Sequence, residues 1–236
     1  MLKKFEPFES VDIKAFERFN RDLRTILEKM DAGEINLKGR HAKEEFQSLI
    51  ESFVTGQRGS LGRTKEGSWS IVPNDEGMDS DNRVDYIFIP TYLVTAILSR
   101  TLCDFPLIAI SIPGFGEALK KGMLFCSYRN LHGHGFESDI GAAEALTILS
   151  MGKIPWLLEK DPAFCPDLYK AIKTVSRDME RRLSLGTAVG PWGENLQDIF
   201  SSSLETLYVK NDIEMYETIQ HTNKDSELVG KEALLW

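Results

Sequence analysis

Apolar residues recur at helical spacing over most of this 236-residue chain, and this periodicity constrains the fold more than any other feature. They fall every three or four positions, with charged residues between them, in the segments Val11–Met30, His41–Val54, Gly114–Arg129 and Leu168–Leu183. Strand is a competing interpretation for two short segments only, Ser68–Val72 and Tyr86–Ile89. The spacing therefore predicts an all-α protein.

The segment from Pro90 to Thr101 is apolar on all sides, which is typical of a helix buried in a core. The wider apolar region, Tyr86 to Gly116, is interrupted by charges and prolines, so neither half reaches the roughly 20 residues of a membrane span. The N-terminus has no apolar stretch of the kind found in signal peptides. We expect a cytoplasmic protein without a membrane partner.

Glycines and prolines divide the chain into helices, and they indicate a single helical domain over residues 1–236. Residues 1–55 form a helical pair in this prediction, residues 56–210 a core of helical hairpins, and residues 221–236 a polar, frayed tail. The longest irregular stretch runs from about residue 56 to residue 85. Loops of that length in compact domains are usually functional or disordered.

A net charge of −8 argues against a nucleic-acid partner, because no basic cluster offsets it. Three widely spaced cysteines with apolar neighbours predict reduced, buried thiols rather than a disulfide framework. Without a CxxC motif or a Cys/His pairing, the sequence does not predict a zinc site or any other cofactor.

Three loops combine glycine, an aromatic residue and downstream carboxylates. They are Gly67-Ser-Trp69 with Asp75-Glu76, Gly133-His-Gly-Phe-Glu137-Ser-Asp139, and Gly190-Pro-Trp-Gly-Glu194. If the intervening helices alternate in direction, these loops meet at one end of the molecule.

This arrangement resembles the α/α-toroid group, which includes six-hairpin glycosidases and lyases, terpenoid cyclases and lanthionine-synthetase cyclases. The segments Gly67–Ser70 with Thr91–Leu98, and His132–Leu146, carry the resemblance. It implies stacked helical hairpins, as a full or partial toroid, with a cavity lined by the loops at one end. The zinc cysteines of the lanthionine cyclases and a DxDD motif are missing.

His132 and His134 flank Gly133, and three interpretations of them remain open. They can cap the preceding helix, or converge on a metal ion together with Glu137 or Asp139. Alternatively, His134 can act as an acid or base near neutral pH.

Carboxylates supply the candidates for paired acid–base chemistry: Glu137 or Asp139 as acid, and Asp75 or His134 as base. Helix capping and solubility are the alternative explanation of these acids. The rings of Trp69, Phe136 and Trp192 are candidate platforms for a sugar or isoprenoid, or else they close the end of the core. Arg129 can hold an anionic substrate group or complement a helix dipole.

The sequence thus leads to two hypotheses. The first is a pocket for a small molecule or glycan, centred on His134 and Glu137, with hydrolase- or lyase-like chemistry. The second is a non-enzymatic assembly or interaction subunit whose apolar Tyr86–Phe115 region packs partly against a partner chain. A homo-oligomer is compatible with both.

Overall fold

The computed structural model describes residues 2, 4–6, 13–59, 66–69, 85–131 and 168. The elements in this part of the chain are all helices: α1 (Ile13–Asp31), α2 (Arg40–Gly56), α3 (Asp85–Asp104), α4 (Pro106–Ser111) and α5 (Phe115–Leu131). The all-α prediction is confirmed for these residues. The helices predicted after residue 131, and the tail after residue 220, lie outside the described residues.

The interpretation of Tyr86–Ile89 as a strand is wrong, because this segment is the start of α3. Its β-branched and aromatic residues favour a strand locally. The apolar run, however, continues through Pro90 into a helix whose side chains are almost all buried from Thr91 to Cys103. Burial of that long helix outweighs the weak local preference, and Pro90 is accommodated within the helix.

Helix α3 forms the centre of the fold and packs against α1, α4 and α5. Val94, Ile97, Leu98 and Leu102 are fully buried along it, together with Leu23 of α1 and Leu119 of α5. Full burial of one such side chain contributes about 1.5–3 kcal/mol. This explains why α3 needs no polar face.

The helices α3 and α5 pack against each other where residues 92–95 of α3 meet residues 122–126 of α5. The hydroxyl of Thr95, near the middle of α3, lies 3.9 Å from the Cys126 sulfur in the second half of α5. Tyr92, one turn earlier in α3, clusters with Phe125 and Cys126. From this contact α3 extends ten residues back to Asp85 and α5 extends five residues on to Leu131; we call these two helix ends the loop end.

Helix α1 joins α3 at the opposite end, through Arg100. Its guanidinium group donates to the carbonyl oxygen of Met30 over 3.2 Å and lies 3.3 Å from Asp31 and 3.0 Å from Asp104. Phe46 of α2 stacks edge-on against Phe105 near that same end, with ring centroids 5.2 Å apart.

Within the described ranges, no helix has both the length and the apolar character needed to cross a membrane.

Candidate functional site

Most of the predicted site residues lie outside the described residues. This holds for Asp75, His134, Phe136, Glu137, Asp139 and Trp192, and also for His132. Their roles stay predictions. Trp69 is described in full, and Arg129 lies in the last turn of α5.

Trp69 is fully buried, in agreement with its interpretation as a core residue. Its indole Nε1–H donates to the backbone oxygen of Phe53 over 2.7 Å. Its backbone N–H donates to the Thr91 hydroxyl over 2.9 Å, so the residue joins the end of α2 to α3. Because no face of the ring is exposed, it offers no stacking surface to a ligand in this structure.

Hydrogen bonds between residues 57–58 and residues 67–68 fix the backbone before Trp69. Arg58 N–H donates to the Ser68 oxygen over 2.9 Å, and Gly67 N–H donates to the Arg58 oxygen over 3.0 Å. The amide nitrogen of Gln57 donates to the Gly67 oxygen over 3.2 Å and to the Ala118 oxygen over 2.7 Å. Gly67 has φ +109° and lies so close to the Lys121 backbone that a Cβ atom would come within 2.4 Å of its oxygen.

Ion pairs on the surface of α5 cover this junction. Lys121 pairs with Glu66 and lies 3.8 Å from Glu117, which also pairs with Lys120 over 2.6 Å. Such half-exposed pairs contribute about 0–1 kcal/mol each. They therefore orient the Glu66–Trp69 segment more than they stabilise it.

The predicted acids lie outside the described residues, before the start of α3 and after the end of α5 in the sequence. The chain enters α3 at Asp85, ten residues after Asp75, and leaves α5 at Leu131, six residues before Glu137.

The described cysteines are buried free thiols, as their apolar neighbours predicted. Burial raises the pKa of Cys126 far above its ordinary value, because the thiolate loses its hydration; the hydrogen bond to Thr95 opposes this only in part. Cys126 is therefore an unreactive, neutral thiol. No group of three potential metal ligands is found among the residues that the structure describes.

A groove of about 610 Å³ lies at the other end of the molecule, between the end of α1, the segment after it and the first half of α2. Phe46 and Leu49 form its buried floor, while Ile35 and Leu37 are half-buried along one side and half-buried Leu2 of the N-terminal segment also lines it. Sequence reasoning missed this groove. The alternation of Ile35 and Leu37 with polar neighbours was the available signal, but it lies in a segment treated as a helix end.

Comparison with protein-family models, curated proteins and solved structures finds no match to this chain.

Proposed function

We propose that this protein binds a small molecule or glycan at the loop end and acts on it by hydrolase- or lyase-like acid–base chemistry. Glu137 or Asp139 is the acid, and His134 or Asp75 is the base. Phe136 and Trp192 supply stacking surfaces, and Arg129 holds an anionic group of the substrate. The proposed architecture is a full or partial ring of helical hairpins around that pocket.

One observation supports this proposal above the others: α3, which begins ten residues after Asp75, packs against α5, which ends three residues before His134 and six before Glu137. The segments that contain these candidates are therefore attached to two helices in mutual contact. Candidates from separate segments on packed helices suit chemistry that needs an acid and a base across a substrate.

In the alternative, an assembly subunit, the apolar Tyr86–Phe115 region packs partly against a partner chain. Ile97, Leu98 and Leu102 of this region are instead fully buried in the chain's own core. Leu107, at 72% exposure, is its most exposed large apolar side chain among the described residues. The described part of this region therefore gives the assembly hypothesis little support.

The test is a panel of 4-nitrophenyl glycosides and uronic-acid oligosaccharides, with hydrolysis followed by colour and elimination by ultraviolet absorbance. We expect Glu137→Gln and His134→Asn to lower turnover of any active substrate at least about 100-fold. Glu17→Gln, which changes an exposed acid on α1, is the matched control and should retain full turnover.

Equal turnover in Glu137→Gln and Glu17→Gln would remove Glu137 from the proposed chemistry. A wild-type protein that neither converts any member of the panel nor retains one in native mass spectrometry would overturn the proposal as a whole.

A further inference from the structure

The groove at the end of α1 is separate from the loop end. Its wall includes Lys29, next to the Met30 carbonyl that Arg100 binds. Arg100 lies fifteen residues along α3 from Asp85, which corresponds to roughly 20 Å of helix. A ligand in this groove would therefore occupy a different site from the proposed substrate.

The side of the groove is a segment with a defined backbone. Gly33, with φ +67°, ends α1, and Glu34 N–H donates to the Lys29 oxygen over 2.8 Å. Gly39, with φ +102°, turns the chain into α2. Between them, exposed Glu34 and Asn36 alternate with half-buried Ile35 and Leu37, which is the pattern of an extended backbone.

This segment has the properties of an open strand edge. In the described part of the chain, no hydrogen-bond partner is found for the backbone N–H groups of Ile35, Asn36 and Leu37. Unpaired backbone groups on an extended segment can pair with an incoming strand, while pockets beside it receive alternate side chains. Phe46 and Leu49 form the floor of such a pocket beside residues 35–37.

The charges around the groove are unequal. Its lining contains three carboxylates, Glu34, Glu44 and Glu45, against one ammonium group, Lys29. His41 is the other titratable group in the lining and lies 3.5 Å from Glu45, while Glu44 pairs over 2.7 Å with Arg40 outside the lining. All three carboxylates are exposed, so they can also interact with a cationic partner.

We infer that this groove binds an extended peptide segment of a partner protein in which apolar residues alternate with lysine or arginine. The peptide pairs through its backbone with residues 34–37 and inserts an apolar side chain over Phe46 and Leu49. Its basic residues face Glu34, Glu44 and Glu45. A neutral small molecule would satisfy the floor, but it would leave both the strand edge and the acidic rim unused.

The probe is a fluorescein-labelled octapeptide in which Lys alternates with Leu and Val, and binding is measured by anisotropy. A peptide of the same composition with its four lysines grouped at one end tests the alternation. We expect Glu44→Gln/Glu45→Gln to weaken binding about tenfold. The control Glu17→Gln/Glu28→Gln removes the same charge from exposed positions on α1 and should change affinity less than about twofold.

Hydrogen exchange locates the peptide independently of any activity, and added protection at residues 34–38 would support the inference. The inference would be overturned by equal weakening in both double variants, by equal affinity for the grouped peptide, or by protection confined to other residues. Concentration-dependent dimerisation that Ala42→Trp abolishes would also overturn it, because a second copy would then be the occupant. So would binding of small apolar dyes that the peptide does not displace.

Discussion

At the scale of single residues, Gly122 determines how closely α5 approaches α3. A Cβ atom there would lie 2.6 Å from the Thr95 hydroxyl and 2.9 Å from the Trp69 ring. Both neighbours are buried, and Thr95 already donates to the Thr91 oxygen over 2.7 Å. Neither can move away without disturbing the α3–α5 contact.

Gly122→Ala should therefore destabilise the protein by about 1–3 kcal/mol through overpacking, although alanine favours a helix by about 1 kcal/mol over glycine. Urea denaturation gives the free energy of unfolding. Combining Gly122→Ala with Thr95→Ala should recover part of the lost unfolding free energy, because the Thr95 substitution removes the nearer of the two contacts. A Gly122→Ala protein as stable as the wild type would show that α5 has room to shift.

Among the elements, α3 combines an apolar core with buried hydroxyl groups. Ser99 and Thr101 donate to backbone oxygens four residues earlier in the same helix, Thr95 and Ile97 respectively. Thr91 also accepts a hydrogen bond from the Trp69 backbone N–H, which belongs to another segment. Thr91 and Thr101 are thus both buried on α3, but they differ in role: Thr91 accepts a hydrogen bond from another segment, whereas Thr101 donates to its own helix.

We expect Thr91→Val to cost about 1–3 kcal/mol of unfolding free energy, since it leaves the buried Trp69 N–H without an acceptor. Thr101→Val is the matched control, with the same change of shape at a fully buried position of the same helix. It should cost less than about 1 kcal/mol, because the oxygen that its hydroxyl contacts belongs to the helix backbone. Similar losses in thermal or urea unfolding of the two variants would contradict this assignment.

The helices themselves were largely predictable from sequence. Apolar residues recur at helical spacing in three segments that correspond to α1, α2 and α5 within two residues at each end: Val11–Met30, His41–Val54 and Gly114–Arg129. Periodicity succeeds there because each helix buries one face against the centre of the fold. It failed at Tyr86–Ile89, where side chains that prefer strands begin a helix.

The sites were less predictable, because they depend on residues far apart in sequence. The Trp69 indole bonds to Phe53, sixteen residues earlier, and the groove combines the end of α1 with the middle of α2. No local pattern specifies such pairings. The candidate acids Asp75 and Glu137 follow from loop composition alone, and the structure adds only the positions where their loops are attached.

At the scale of the whole molecule, the buried Cys126 thiol links stability to pH. An acid whose pKa is raised by folding stays protonated in the native state, while the unfolded chain loses that proton above its ordinary pKa of 9.0. The unfolded state is then favoured, so stability falls as pH rises through that value. Below it, both states hold the proton and the contribution vanishes.

Between about pH 8 and pH 9.5, the wild type should lose about 1 kcal/mol more stability than Cys126→Ala. Urea unfolding of both proteins at several pH values measures this difference. Parallel pH profiles for the two proteins would show that Cys126 ionises in the folded state.

The central position of α3 also determines when the protein can begin to fold during synthesis. The residues of α1 and α2 leave the ribosome first. The hydrogen bond from Arg100 to the Met30 oxygen, and that from Trp69 to the Phe53 oxygen, can form only after Arg100 and Trp69 have been synthesised. Roughly fifty residues separate the end of α2 from the end of α3, which is about 2–10 s of translation. During that interval Leu23 and Ile26 of α1, both buried in the finished fold, lack the helix against which α1 packs. We therefore expect the nascent chain to expose this apolar face of α1 until Asp104 has emerged.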